Sequence, residues 1–353
     1  MDLSAHGLVY RKKEERLVAS IRQPAGGREE ILALFQELAQ IVKPENRAGD
    51  FFWINHYINS LESGFDVEVG VPVRMPVADG RVSSKILPGM QVLCAEHQGP
   101  ASTIGESYSK FRTATGEAGL ISEEFIIESF AEIEQLLTGP IEVQYVLHDW
   151  AGLFRKNLSR VVGESAAEKI FGEMDSITVE TDLSQRHELT LCAVSRLVEL
   201  GNEFDSYDAI SSCAHVFPDN QTMKLNNVYQ AIYAQTGDKL AAIDAVIEFM
   251  EADPGWGVEI FREGEVIYTA KNPRDRTAHE AAKTDAERRK AYCFCPLIRD
   301  HLEEEIPPEF CYCGSGWFRK QWEDASEKPV SIEIVKSLLK GNERCQYAIK
   351  IFD

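Results

Sequence analysis

The chain has 353 residues, of which 44% are hydrophobic and 27% charged, so its composition is that of an ordinary globular protein. Its formal net charge of −20 repels nucleic acid at long range, and no basic recognition helix is visible, so we expect no direct nucleic-acid binding. No apolar run could span a bilayer, and the N-terminus lacks the apolar stretch of a signal peptide, so a cytoplasmic protein without membrane contact is predicted.

The first predicted domain, residues 1–148, repeats one order of elements. A strand at 16–22 is followed by an amphipathic helix at 26–43 and by two strand-like runs. The second half has a strand at 89–100, a helix at 103–120 and two further strands. This duplicated β-α-β-β unit predicts an α+β domain with a groove where the two halves meet.

Four segments of this domain carry a family resemblance, and they are FDVEVGVPV, HQGPASTIGESYSKF, EFIIESF and GPIEVQYVL. In this order they resemble the GyrI-like effector-binding domain, a family that includes gyrase-inhibitor-like proteins and drug-binding domains of transcription activators. The resemblance implies a small-molecule pocket between the repeats, with aromatic residues around a buried acid. The family's pocket glutamate corresponds to Glu142 on the last strand. Because no DNA-binding segment precedes this domain in the sequence, we do not expect a complete regulator of that type.

The resemblance also indicates the other members of the pocket. Trp53, Tyr57 and Tyr108 are aromatic candidates, and a ring face attracts a cation by about 0.5–2 kcal/mol. Glu68 is the first-repeat counterpart of Glu142. A carboxylate on an apolar strand loses hydration unless it is paired, which suits a small organic ligand that is cationic or aromatic. The alternatives are that Trp53 and Tyr108 belong to the core and that Glu68 faces solvent or is paired.

The second predicted domain, residues 149–353, is a mainly helical α+β domain that ends in a β-hairpin. Apolar residues recur with helical spacing at 224–238 and 238–253. A first hairpin is predicted to turn at Glu263-Gly264, and the last two strands flank residues 340–342.

Three short cysteine clusters in this domain raise the question of a metal. Residues i and i+2 of an extended segment point the same way, so each pair can present two ligands to one ion, and zinc takes four such ligands. The candidate ligands are Cys213, His215, Cys293, Cys295, Cys311 and Cys313. Redox-active thiols, buried structural thiols and disulfides remain alternatives to a zinc or iron site. We interpret the remaining cysteines as core residues, and they are Cys94, Cys192 and Cys345.

The C-terminal pattern is distantly similar to uncharacterised cysteine-rich domains and to aminothiazoline-carboxylate hydrolase-like and vinyl-4-reductase-like families. Its elements are Cys311-Tyr312-Cys313, Gly316-Trp317, Glu323, Pro329-Val330 and Cys345. This similarity implies either small-molecule chemistry or a metal-linked sensor.

Two main functional hypotheses follow. The first is a small-molecule-binding or sensing protein with a GyrI-like pocket and a metal or thiol site in its second domain. The second is a hydrolase of a small electrophilic or heterocyclic compound, which uses Glu142 as a general base or a C-terminal metal. A protein-interaction role is a third option. The sequence does not decide whether the protein is an enzyme, and it leaves homo-oligomerisation open.

Overall fold

A computed structural model describes residues 3–56, 65–118, 120–179, 181–200, 205–214, 219–253, 256 and 258–352. The chain divides into two compact units, Met1–His148 and Asp149–Asp353. Both units combine helices with an antiparallel sheet, which confirms the predicted α+β fold class. None of the described helices is long and apolar enough to cross a membrane.

The first unit is built on a nine-stranded antiparallel sheet with the order β1-β7-β9-β8-β3-β4-β2-β6-β5. The strands are β1 Val9–Lys13, β2 Arg16–Ala25, β3 Phe51–Asn55, β4 Phe65–Pro72, β5 Ala78–Asp79, β6 Val82–Leu87, β7 Met90–His97, β8 Ser122–Phe130 and β9 Ile141–Leu147. The helices are α1 Arg28–Ile41, α2 Gly105–Glu117 and α3 Gln135–Thr138.

The predicted duplication is present in this sheet. The first repeat is β2-α1-β3-β4 and the second is β7-α2-β8-β9, and the two halves join where β3 pairs with β8. The short strands β1, β5 and β6, which the sequence pattern does not predict, extend the sheet at its two ends.

Both long helices of the first unit pack on the same side of the sheet. In α1 the buried residues Ile31, Leu34, Phe35 and Leu38 recur every three or four positions, so they form one apolar stripe. Phe35 packs edge-on against Phe51 of β3, with ring centroids 5.7 Å apart. In α2, Phe111 stacks on Tyr145 of β9 at 5.3 Å. The helices therefore cover the junction of the repeats from one side.

The second unit combines helices with a four-stranded antiparallel sheet of order β10-β11-β13-β12. Its strands are β10 Val258–Glu263, β11 Val266–Lys271, β12 Val330–Lys336 and β13 Gln346–Ile351. Its helices are α4 Trp150–Val162, α5 Glu164–Phe171, α6 Leu183–Glu199, α7 Ser206–Ser211, α8 Asp219–Thr236, α9 Lys239–Glu251, α10 Arg276–Ala281, α11 Asp285–Tyr292 and α12 Tyr312–Ser326.

Both predicted hairpins of this unit are confirmed. The strands β10 and β11 pair across a turn at Gly264, whose φ of +59° lies in the left-handed region that glycine adopts without strain. The last two strands, β12 and β13, pair antiparallel.

Helix α12 links the two apolar cores of the second unit. One core lies among α4 to α7 and the loop before α12, and the other lies between α8, α9, α12 and the sheet. Gly316 of α12 lies so close to α7 that a Cβ there would be 1.7 Å from the carbonyl oxygen of Ser211. A side chain at this position would force the two helices apart.

Candidate functional site

The two sides of the first sheet carry different acidic residues. Side chains alternate along a strand, and residues directly opposite each other on paired strands share a side. Trp53 of β3 lies opposite Glu128 of β8, and both point toward α1 and α2. Glu68 of β4 lies opposite Ile54, one position along from Trp53, and therefore points to the other side. We call the side opposite α1 and α2 the far face.

Glu128 is the centre of a buried polar cluster under the helices. Only 1% of its side chain is exposed. Trp53 donates its indole N–H to Oε2 at 2.9 Å, and Arg28 donates Nη2 to Oε1 at 2.8 Å. The Tyr108 hydroxyl donates a third hydrogen bond to Oε1. The first repeat supplies Trp53 and Arg28, and the second supplies Tyr108 and Glu128, so the cluster bridges the repeats.

Arg28 occupies a cation site made of a carboxylate and an aromatic ring. Its guanidinium carbon lies 5.5 Å from the centre of the Trp53 ring, and its side chain is 23% exposed. Arg28 is the first residue of α1, directly after Gly26 and Gly27, and the Gly27 N-cap has no side chain to hold the helix end. Arg28 is therefore the member of the cluster that can most easily move into water.

The pKa of Tyr108 identifies it as a hydrogen-bond donor. Burial and the neighbouring carboxylate of Glu128 raise the pKa of the phenol well above its usual range. Tyr108 therefore keeps its proton at neutral pH and orients the carboxylate.

Glu128 was not among the site residues predicted from the sequence. It lies within the EFIIESF segment and points to the same side of the sheet as the apolar residues Ile126 and Phe130, two positions before and after it. The same argument that selected Glu142, an acid on an otherwise apolar strand, applies to it. Only the strand register shows that Glu128, and not Glu142, faces Trp53.

Glu68 is fully buried on the far face. His56 approaches Oε2 at 2.9 Å and Lys85 donates to it at 2.7 Å, while Oε1 has no hydrogen-bond partner in the described structure. Burial by itself would raise the pKa of Glu68, but hydrogen bonds from His56, Lys85 and Ser20 outweigh it and lower the pKa to about 2. Glu68 is therefore ionised at neutral pH.

Glu142 also lies on the far face, and 30% of its side chain is exposed. Arg11 and Lys13 of β1 form ion pairs with it, and the amide of Gln144 donates to Oε1 at 2.8 Å. The carboxamide oxygen of Gln144 is buried and has no partner among the described residues. Glu142 is thus held by neighbours on its own face and makes no contact with the Glu128 cluster.

An apolar cluster also lies on the far face. Its buried members are Val18, Phe52, Ile54, Leu87, Val92, Cys94, Ile127 and Val146. Of the predicted pocket residues, the structure thus brings Trp53 and Tyr108 together and places Glu68 and Glu142 on the opposite side of the sheet. Tyr57 lies outside the described residues.

Most cysteines of the second unit gather in one core. Cys213, Cys293 and Cys311 are buried there, and three half-buried cysteines pack against it, namely Cys295, Cys313 and Cys345. Trp150 donates its indole N–H to the Cys313 sulfur at 3.2 Å. Among described residues, no three cysteine sulfurs lie within 4.8 Å of one another. His215 lies outside the described residues, and the zinc site stays a prediction.

The protonation of these thiols follows from their burial. Burial raises the pKa of Cys293 to about 11 and raises that of Cys313 as well. The thiol of Cys311 donates to Cys345, which lowers the pKa of Cys345 despite its burial. Cys345, which we had interpreted as core, is therefore a neighbour of a predicted ligand. The interpretation of Cys192 as a core residue was wrong, because Cys192 is exposed on α6.

Lys271 of β11 is a further residue that the sequence did not indicate. Its ammonium lies 4.9 Å from the Trp317 ring centre and 5.3 Å from that of Phe294. Burial lowers the pKa of Lys271, although nearby cysteines, Cys313 first among them, oppose that effect.

Residues 10–135 match the family model described as the GyrI-like small molecule binding domain. This match confirms the resemblance of the N-terminal domain, and it includes Trp53, Glu68, Tyr108 and Glu128 but ends before Glu142. No curated protein matches the chain.

Several solved structures are similar to about two fifths of the chain. EcmrR in a complex with DNA is 17% identical with a TM-score of 0.36, and the match covers 40% of this chain and 56% of EcmrR. The EcmrR C-terminal domain is 18% identical with a TM-score of 0.36, and the match covers 40% of this chain and 96% of that domain. A hydrolase encoded by lin2189 from Listeria innocua is 10% identical with a TM-score of 0.30, and the match covers 39% of this chain and 90% of the hydrolase.

Proposed function

We propose that the GyrI-like domain binds a small aromatic cation between its two repeats, at the carboxylate of Glu128. The observation that carries this proposal is the convergence of Trp53, Tyr108 and Arg28 on one buried carboxylate. A carboxylate beside an aromatic face is the arrangement that attracts a desolvated cation. Arg28 already fills that position with a cation of the protein's own.

Ligand binding then consists of exchanging one cation for another. The ligand's positive charge takes the place of the Arg28 guanidinium next to Glu128 and over Trp53, and its apolar surface displaces water. Arg28 moves into solvent, where its charge is hydrated, so no buried charge is left without a partner. The exchange favours a ligand with more aromatic surface than a guanidinium, because both cations gain similar electrostatic energy and only the ligand buries additional apolar area.

The far face is the rival location for a ligand. It has an apolar cluster and two buried acceptor oxygens without partners, on Glu68 and Gln144. However, it also has four basic residues around two carboxylates, so it is less suited to a cation; they are Arg11, Lys13, Arg16 and Lys85. Glu142 and Glu68 keep their predicted role only if this face binds the ligand.

Binding of rhodamine 6G, a fluorescent aromatic cation, to the full chain tests the proposal. Fluorescein has a similar ring system with negative charge and is the matched ligand control. We expect Glu128→Gln to weaken rhodamine binding about 10-fold or more, which corresponds to about 1.4 kcal/mol for a lost charge-assisted contact. Arg28→Met should instead strengthen it, because the competing cation is gone. A general loss of structure would weaken rhodamine binding in both variants, so it could not produce these opposite changes in affinity.

The controls separate the two locations. Glu142→Gln and Glu68→Gln should leave rhodamine affinity unchanged. If these variants weaken binding while Glu128→Gln does not, the ligand lies on the far face and the proposal is wrong. The hydrolase hypothesis makes a different prediction: turnover of an activated ester that Glu142→Gln abolishes.

A further inference from the structure

Two histidines and a glutamate meet in the second unit. His187 lies on α6, while His301 and Glu304 lie in the loop between α11 and α12. One nitrogen from each histidine and one carboxylate oxygen lie within 4.8 Å of one another. This is the one set of three histidine, cysteine or acidic residues so close together in the part of the chain that the structure describes.

The loop geometry aims two of these side chains in one direction. The backbone N–H of His301 bonds to the carbonyl of Ile298, and that of Glu304 bonds to the carbonyl of His301, each at 3.0 Å. This turn brings the Glu304 carboxylate to 2.5 Å from Nδ1 of His301. The spacing of three residues therefore presents an imidazole and a carboxylate on the same side of the loop.

The hydrogen bonds of His187 determine which of its nitrogens is free to bind a ligand. Nδ1 lies 2.7 Å from the carbonyl oxygen of Leu297, and because a carbonyl only accepts, Nδ1 must donate its proton there. In the neutral ring, Nε2 then has a lone pair, which points at Oε2 of Glu304 at 3.0 Å. Two acceptors at that distance repel each other unless a positive charge lies between them.

One proton on Nε2 of His187 supplies that charge, and so does a divalent cation between the three side chains. The rings of His187 and His301 stack with centroids 3.7 Å apart and planes within 8°. Because the lone pair of an imidazole nitrogen lies in the ring plane, an ion bound by both rings requires the His301 ring on the loop to turn out of this stack. A ring that donates one N–H to a backbone carbonyl and turns its other nitrogen to the site is the usual state of a metal-bound histidine.

We infer that His187, His301 and Glu304 bind a divalent transition-metal ion such as zinc. Imidazole and carboxylate are ligands that zinc accepts, and three protein ligands leave a position for water or a small molecule. His187 is 5% exposed whereas the Glu304 side chain is 49% exposed, so the ion is anchored from the core and is accessible from the loop side.

The site also explains why the stretch between the two Cys-x-Cys pairs contains metal-binding residues other than cysteine. Sequence spacing directs attention to Cys293, Cys295, Cys311 and Cys313, but two of the three residues that the fold brings within coordinating distance, His301 and Glu304, lie between those pairs. A bound ion would fasten the loop to α6.

Zinc binding by the full chain, stripped with a chelator, tests the inference. We expect one zinc per chain in wild type, measured by competition with a chromophoric chelator. His187→Gln and Glu304→Gln should each weaken binding more than about 100-fold, because they remove direct ligands, whereas loss of outer partners weakens binding by about 10–100-fold. Glu305→Gln, a neighbouring exposed carboxylate, is the matched control and should bind as wild type does.

Cobalt(II) distinguishes this site from the cysteines, because thiolate ligands add strong near-ultraviolet bands to its spectrum and imidazole and carboxylate ligands do not. We expect no thiolate bands and no change in Cys293→Ser. Thiolate bands that His187→Gln leaves intact would place the metal at the cysteines and overturn the inference, as would the absence of zinc binding in wild type. If His187→Gln does not fold, the wild-type chain can be treated with diethyl pyrocarbonate, which modifies histidines, with and without zinc. Zinc should protect His301 from modification, and equal modification of His301 in both samples would refute the site.

Discussion

Replacing Arg28 with methionine should destabilise the first unit by about 3 kcal/mol. The Glu128 carboxylate is 1% exposed and 2.8 Å from Nη2 of Arg28, so the substitution leaves a buried charge without its cation. Removing one partner of a buried ion pair typically costs about 3–5 kcal/mol. We expect the lower end because Trp53 and Tyr108 still donate to the carboxylate, and because Arg28 is itself 23% exposed.

The double variant Arg28→Met/Glu128→Gln measures the coupling. It has no buried charge, and the amide oxygen can still accept from Trp53, so we expect it to be no less stable than Arg28→Met. If Glu128→Gln alone costs about 2 kcal/mol, the two single substitutions together cost about 5 kcal/mol, whereas the double variant costs about 3 kcal/mol. The coupling free energy is therefore about 2 kcal/mol. Hydrogen-exchange mass spectrometry on the full chain, with peptides from β3 and β8, gives the opening free energy of this unit alone. Additive effects, or a cost below about 1 kcal/mol for Arg28→Met, would refute the account of a buried carboxylate held by its cation.

Three further predictions concern other parts of the molecule. Because its pKa is lowered from 4.5 to about 2, ionised Glu68 contributes about 3 kcal/mol of stability above pH 4.5 that is lost as the pH falls toward 2. Acid denaturation of Glu68→Gln should lack that part of the pH dependence, and identical profiles would contradict it. Gly316→Ala should destabilise the second unit by about 3 kcal/mol or more, because the new Cβ meets the Ser211 carbonyl, whereas Gly105→Ala, with nothing within 4 Å, should not. Thermal unfolding compares them, and equal melting temperatures would disprove the close approach. Cys192, the exposed cysteine, should react with maleimide before the buried and half-buried cysteines. Mass spectrometry of the labelled peptides gives the order of reaction, and earlier labelling of any other cysteine would contradict the prediction.

The regular elements of both units could be predicted from local patterns. Ile31, Leu34, Phe35 and Leu38 recur with helical spacing, and the duplicated order of strands and helices is visible as a repeat. These signals are local, because they arise from residues within one turn or one strand. The edge strands β1 and β5 and the neighbouring strand β6 were missed. Strand β5 has only two residues, and the burial of β1 and β6 does not alternate regularly, so none of the three has a clear local pattern.

The sequence therefore determined the elements and the repeat, and it predicted an acid among aromatics in the first domain and cysteine or histidine ligands in the second. Trp53 and Tyr108 could be selected in advance because the resemblance to the GyrI-like domain implies aromatic residues around the pocket acid. Tertiary structure alone decided which acid joins them. A shift of one residue in strand register moves a side chain to the other side of a sheet, so the pairing of β3 with β8 places Glu128, rather than Glu68 or Glu142, at Trp53. Likewise, 114 residues separate His187 from His301, and only the packing of a loop on α6 brings them together.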